Sequence, residues 1–152
     1  MKLIVLITTI LLSLQSIAAT SGTLILKGTV PAVLELVVNP ETLAMNLPLD
    51  MTQTNSLVGT VTEKSNSSTG YSVSITSLNQ GKLVHETETS SVVNYSLRYN
   101  TSIVDLVNGS SFSEPTKGLK TRDLEISYTG VPHENLYAGD YSDTLTFTMT
   151  AN

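Results

Sequence analysis

The sequence is poor in the residues that carry most protein chemistry. Its 152 residues include no cysteine, no tryptophan and only two histidines. Without cysteine there is no disulfide, thiolate nucleophile, zinc finger or iron–sulfur cluster. Charged residues make up 14% of the chain, against about 25% in typical domains. The formal charge of −5 lacks the excess of Lys and Arg that nucleic-acid binding requires. These absences predict a protein that is not an enzyme, uses no cofactor and binds no nucleic acid.

The first residues have the pattern of a secretory signal peptide. Lys2 is followed by an apolar run over residues 3–14, and Ser16 and Ala18 are small residues at the positions that a signal peptidase reads. The alternative is an N-terminal membrane anchor, but the apolar run is shorter than the ~20 residues that span a bilayer. We therefore expect a cleaved signal peptide over residues 1–18 and an exported protein.

The remaining sequence consists of short segments in which apolar and polar residues alternate, separated by turns rich in Gly, Asn and Ser. This pattern predicts an all-β, immunoglobulin-like antiparallel β-sandwich. Strands are predicted over residues 24–30, 33–38, 57–61, 71–76, 83–84, 93–99, 124–128 and 141–151. Residues 83–84 are expected to form an edge strand, and residues 108–115 a loop. No repeat or linker divides the body of the protein.

Few side chains suggest a catalytic or metal site. His85 lies in a His-Glu-Thr-Glu run that could supply metal ligands, but a solvated loop histidine is the favoured interpretation, and His133 is interpreted in the same way. Asp140 and Asp143 flank Tyr141, where acidic residues usually cap a turn or remain solvated. A calcium site built from oxygen ligands is the alternative. We predict no catalytic residue and no metal site.

The strongest alternation lies in the last predicted strand. Its apolar positions Leu145, Phe147, Met149 and Ala151 are separated by threonines. No strand follows it in the sequence, so we expect it at a sheet edge or beside a missing neighbour. An apolar edge of that kind promotes aggregation unless something covers it, and this strand carries no Lys or Pro to protect it.

A second alternating segment lies at the other end of the predicted exported chain. Leu24, Leu26, Gly28 and Val30 occupy alternate positions, and Pro31 separates them from the next apolar run. The segment therefore has the pattern of a strand that is detachable from the body.

Together, these two segments resemble the pilin subunits of chaperone–usher fimbriae. The C-terminal strand of that family typically has a glycine at the place of Gly139, the first of the last 14 residues. The commonest branch of the family has a pair of cysteines and an aromatic residue at the penultimate position. This chain has no cysteine and has Ala151 at that position, and in both respects it resembles the cysteine-free, colonisation-factor-like (alpha) pilins. In that branch an alternating extension runs into a proline and an apolar first strand, as residues 24–38 do.

The resemblance implies a sandwich that is incomplete and is completed by a donor strand from another subunit. Residues 19–31 are then the N-terminal donor-strand extension, and residues 32–152 the pilin-like body. The donor positions are Leu24, Leu26, Gly28 and Val30. The C-terminal strand, with which a chaperone pairs, comprises Gly139, Tyr141, Leu145, Phe147, Met149 and Ala151.

The resemblance also implies a role and partners. The subunit polymerises head to tail by donor-strand exchange, as a homopolymer or in a mixed fibre that serves adhesion. A periplasmic chaperone and an outer-membrane usher are its other partners. The chain is expected to pass through the periplasm and to reside in a fimbrium at the cell surface.

The alternative is a self-contained secreted β-sandwich in which residues 23–30 form the protein's own first strand. Such a domain would be a binding module or a coat protein. Carbohydrate recognition through Tyr71, Tyr95, Tyr99 or Tyr128 is one form of this alternative. Aromatic residues make up only 5% of the chain, which is low for a sugar-stacking surface.

Overall fold

Residues 20–152 are described by the computed structural model, and the predicted signal peptide over residues 1–18 lies outside them. Of the described residues, 49% are in β-strands and none is in an α-helix. The all-β prediction is therefore confirmed. No helix in this part of the chain has the length and hydropathy of a membrane span. The chain divides into two units at the bond between Val30 and Pro31.

Eleven strands form the unit that begins at Pro31, and all their pairings are antiparallel. In chain order they are β1 (Leu34–Pro40), β2 (Gln53–Ser65), β3 (Tyr71–Ser77), β4 (Lys82–His85), β5 (Val92–Asn94), β6 (Ser96–Tyr99), β7 (Ser102–Ile103), β8 (Ser110–Glu114), β9 (Gly118–Tyr128), β10 (Tyr141–Ser142) and β11 (Leu145–Ala151). The sheets have the orders β1-β2-β9-β6-β7, β11-β3-β8 and β10-β4-β5. Two short 3₁₀ helices, Thr42–Met45 and His133–Asn135, lie in the connections.

The main core lies between the five-stranded sheet and the β11-β3-β8 sheet. Alternate residues of β3 point into it, and Tyr71, Val73 and Ile75 are at most 1% exposed. The five-stranded sheet contributes its inward residues from the other side, including Val61, Leu97, Tyr99 and Leu124. A smaller cluster of Leu83, Val93, Ile126 and Tyr128 joins the third sheet to β9. Two antiparallel sheets that pack face to face form the predicted sandwich.

In the middle of the chain, three sequence predictions need correction. Residues 93–99 do not form one strand, because the chain changes sheets at Tyr95, whose N–H donates to the carbonyl of Gly81 at 2.9 Å. Residues 83–84 are not at an edge, because β4 lies between β10 and β5. Part of the predicted loop over residues 108–115 forms β8, whose sequence SSFSE has a single apolar residue and therefore no visible alternation.

One polar network penetrates the core. Glu63 on β2 is 1% exposed and accepts a hydrogen bond from the Tyr71 hydroxyl at 2.7 Å. Arg122 on β9 lies 3.6 Å from Glu63 and donates to Glu114 on β8 at 2.8 Å. Burial, and then the bond to Glu63, raise the pKa of Tyr71. The network therefore links β2 and β9 of one sheet to β3 and β8 of the other. The buried carboxylate of Glu63 has a charged partner, as burial of a charge requires.

We expect Glu114→Gln to weaken the fold in a pH-dependent way. Its hydrogen bonds from Lys120 and then Thr116 lower the pKa of Glu114 from an ordinary 4.5 to about 2. A lowered folded-state pKa means that the carboxylate contributes stability above pH 4.5 and loses it as the pH falls through about 2. Urea unfolding should show the variant less stable than the parent at pH 6, with the difference disappearing near pH 2.

Glu41→Gln is the matched control, since Glu41 is an exposed carboxylate for which the described residues provide no salt bridge. It should change stability little at any pH. A constant difference between Glu114→Gln and the parent from pH 6 to pH 2 would contradict this account of the ion pair.

Candidate functional site

Strands β1 and β11 each present an unpaired edge. β1 bonds only to β2 within its sheet, and β11 bonds only to β3. The two strands belong to different sheets, yet Cα atoms of one lie within 8 Å of Cα atoms of the other. Each edge is seven residues long and carries a row of backbone N–H and C=O groups that no other strand of residues 20–152 satisfies.

The inner face of β1 is apolar and is incompletely covered. Leu34, Leu36 and Val38 lie opposite Ser65, Glu63 and Val61 of β2, all of which are buried. Paired residues share a face of the sheet, so these three side chains point toward the sandwich interior. Leu34 nevertheless remains 44% exposed and Val38 remains 40% exposed. Residues that face the core therefore lack neighbours on one side.

The inner face of β11 has the same character. Leu145, Phe147 and Met149 pack against the main core cluster but are only half-buried. Thr146, Thr148 and Thr150 point outward and are exposed. The prediction that this strand lies at a sheet edge is confirmed by its single pairing with β3.

Between these strands lies a cavity of about 240 Å³, which we call the groove. Val38 of β1 and Leu145 and Phe147 of β11 line its sides, and Leu97, Leu124 and Ile126 are among its other lining residues. The outer edges of the same two sheets differ. β7 has two residues, and β8 is largely serine. Short edges and polar edges resist the addition of a further strand. Of the four edges of these two sheets, the two beside the groove are therefore the ones suited to strand addition.

Asp143 organises the connection between β10 and β11 and also lines the groove. Its carboxylate accepts hydrogen bonds from the hydroxyls of Ser77 and Tyr95, both at 2.6 Å, and from the N–H of Asn79 at 2.9 Å. Burial, and then the bond to Asp143, raise the pKa of Tyr95. The sequence predicted a cap or a solvated acid, without any sign of this convergence, because the partners come from two distant segments, residues 77–79 and Tyr95. Asp140, by contrast, is exposed.

The predicted C-terminal strand is divided by this connection. Tyr141 belongs to β10 in the third sheet, where its hydroxyl lies 2.7 Å from the Ser91 hydroxyl. Gly139 precedes β10 and lies in no strand. Only Leu145, Phe147, Met149 and Ala151 of the six residues assigned to the strand lie on β11. Any role of the six in chaperone binding stays a prediction.

The interpretation of His85 as a solvated loop residue is wrong. His85 lies on β4 and is 4% exposed. Its Nδ1 accepts hydrogen bonds from the N–H groups of Glu88 at 2.9 Å and Thr87 at 3.2 Å, and its Nε2 lies 3.2 Å from the Ala138 carbonyl. The ring therefore joins two loops. His133 is 84% exposed in its loop.

The tyrosines proposed for carbohydrate stacking do not form a binding surface. Tyr71, Tyr99 and Tyr128 are at most 5% exposed and belong to the core. Tyr95 is half-buried, with its hydroxyl bonded to Asp143. Sugar stacking needs an accessible ring face, so this form of the alternative is excluded for these residues.

The predicted donor positions lie in the unit that ends at Val30. Residues 20–30 form no strand, and all are exposed. Leu24, Leu26 and Val30 are 82%, 87% and 82% exposed, and no atom beyond its chain neighbours lies within 4 Å of a Cβ built at Gly28. Their role as a donor strand stays a prediction.

We expect Gly139→Ala to destabilise the protein more than Gly118→Ala. Both glycines have strongly positive φ angles, 149° and 143°, which disfavour any side chain. A Cβ at Gly139 would also collide with Nε2 of His85, whereas a Cβ at Gly118 meets nothing within 4 Å. Thermal or urea unfolding should give a loss of about 1–2 kcal/mol for Gly118→Ala and about 2–4 kcal/mol for Gly139→Ala. Equal losses would contradict the close packing of Gly139 on His85.

No protein-family model matches this chain, and no curated protein matches it. A similar solved structure is that of the CssB subunit complemented with donor strand from the CssA subunit of enterotoxigenic Escherichia coli colonization factor CS6. The identity is 19%, the match covers 77% of this chain and 83% of that chain, and the TM-score is 0.44.

Proposed function

We propose that this protein is a structural subunit of a surface fibre and that it polymerises by donor-strand exchange. The observation that carries the proposal is the groove, where two seven-residue edges with apolar inner faces stand unpaired. The two strands that flank an inserted strand lie about 9.5 Å apart, whereas Cα atoms of β1 and β11 approach within 8 Å. The edges would therefore separate to admit a strand, which would then pair its backbone with both edges and cover the half-exposed side chains of each. Addition of a strand to a sheet edge is an established mode of recognition.

The N-terminal segment has the length and pattern that the groove requires. Residues 24–30 number seven, as do β1 and β11. Three large apolar side chains and one glycine occupy its alternate positions. Burying Leu24, Leu26 and Val30 would contribute about 1.5–3 kcal/mol each. Gly28 would lie where the groove is too shallow for a side chain, so that its position helps to set the register.

Insertion into a second copy explains why a fibre would form. Each subunit offers one segment, residues 24–30, and one groove. Such a heterologous contact does not close on itself and generates a linear polymer. The resemblance of the two ends supplies the remaining expectations, namely export, a periplasmic chaperone that covers β11 before assembly, an outer-membrane usher and a final place in a fimbrium that serves adhesion.

We expect deletion of residues 20–30 to abolish polymerisation while leaving a groove that accepts a synthetic peptide of residues 20–31. The peptide should raise the melting temperature of the truncated protein in a concentration-dependent manner, because a ligand that binds only the folded state stabilises it. Light scattering would follow polymerisation, and calorimetry would follow stability. The opposite result has two parts: no peptide stabilises the truncated protein, and the intact protein is a stable monomer. It would show that the segment is an internal strand of its own subunit.

We also expect Gly28→Leu to block polymerisation without unfolding the body. Gly22→Leu is the matched control, since a Cβ at either glycine meets nothing within 4 Å but Gly22 lies outside the seven donor residues. Electron microscopy and light scattering of both variants would test this. Normal fibres from Gly28→Leu would refute the assigned register.

A further inference from the structure

The donor segment, residues 24–30, and the edge strand β1 each contain one charged residue, and the two charges are opposite. Residues 24–30 contain a single charged residue, Lys27. β1 contains a single charged residue, Glu35, and β11 contains none. All other residues of these three elements are uncharged. Attraction between the one cation and the one anion can therefore determine how the donor segment aligns with β1.

Both charges belong to the outer face of the proposed contact. Leu34 and Leu36 face the interior, so Glu35 between them points outward, and it is exposed. In the donor segment, Lys27 lies between Leu26 and Gly28, which would face the groove. Side chains alternate along a strand, so Lys27 would point to the same outer surface as Glu35.

We propose that Lys27 of one copy pairs with Glu35 of the next and that this pair fixes the register of the donor strand on β1. The inference rests on the proposed function. When Lys27 lies beside Glu35, the donor residues 26 and 28 lie beside the inward residues of β1, whichever way the strand runs. A slip of two residues would leave Lys27 beside Val33 or Val37, without its counter-ion. A slip of one residue would turn Lys27 into the groove, where an unpaired charge is strongly disfavoured.

The existing partner of Glu35 is compatible with this role. Glu35 forms a salt bridge of 3.6 Å to Lys64 on β2, and the side chains of Glu35 and Lys64 are 56% and 54% exposed. The pair lies on the outer face, and a donor strand on the other side of β1 would place Glu35 between two lysines. A carboxylate has acceptor sites for both. Exposed pairs are individually weak, so the contact governs the choice of register more than the overall affinity.

The test measures four affinities. The acceptor is the full chain carrying Gly28→Leu, whose own segment is blocked, with or without Glu35→Lys. The probe is a fluorescent peptide of residues 20–31, either native or with Lys27→Glu. We expect the two like-charge combinations to bind about 3- to 20-fold more weakly than the two opposite-charge combinations, by anisotropy at low salt. At 1 M NaCl the difference should shrink, because salt screens exposed pairs.

The decisive result is the inversion, in which the Glu35→Lys acceptor prefers the Lys27→Glu peptide. A mere loss of stability in Glu35→Lys would weaken both peptides alike. Four equal affinities would overturn the Lys27–Glu35 pair while leaving donor-strand binding intact. No binding of any peptide to either acceptor would overturn donor-strand binding itself, and the register inference with it.

Discussion

The backbone of a β-strand has two hydrogen-bonding edges, and among the described residues the inner edges of β1 and β11 pair with no strand. The remaining features of the site follow from that constraint. The apolar faces of these strands stay half-exposed because no strand of the described residues covers them. Asp143 fixes the point where the chain leaves the third sheet and enters β11, and so it places one wall of the groove. The unpaired edges thus join a local fact about hydrogen bonds to a requirement for a partner.

The distribution of charge is consistent with this constraint. Ions are kept off the inner faces of β1 and β11, and the buried charge is concentrated in the network around Glu63 and Arg122, where each group has a partner. Under the proposed function, this low charge is what strands covered on both sides require. Glu35 and Lys27 are the single charged residues of β1 and of residues 24–30, and Glu35 already contacts Lys64 on β2.

Sequence patterns predicted the fold where packing acts through alternation, and failed where it acts through single polar contacts. β3 was predicted to within one residue at each end because one of its faces is buried. The C-terminal end of β11 was also predicted, but its start was placed four residues early, at Tyr141, which belongs to β10. β8 escaped notice because serines carry its ladder. The contact of His85 with Ala138 and the convergence on Asp143 join residues that are far apart in sequence, so no local signal could reveal them. The other hydrogen bonds of His85 are local, from Thr87 and Glu88. Of the site, the two strands with apolar faces were predictable, and the groove between them was not.

The topology explains why residues 24–30 do not simply lengthen β1, although their alternation continues into it. Leu34 pairs with Ser65, the last residue of β2, and the chain then turns toward β3 in another sheet. The ladder therefore has no strand left against which earlier residues could pair. Asn66 closes it, accepting from the N–H of Val33 at 2.7 Å and donating to the carbonyl of Pro31 at 2.8 Å. Pro31 itself has no N–H to continue the ladder. Residues 24–30 therefore form no strand with the sheet that follows them. Under the proposed function, the groove of a second copy would supply the edges that the β1 ladder does not.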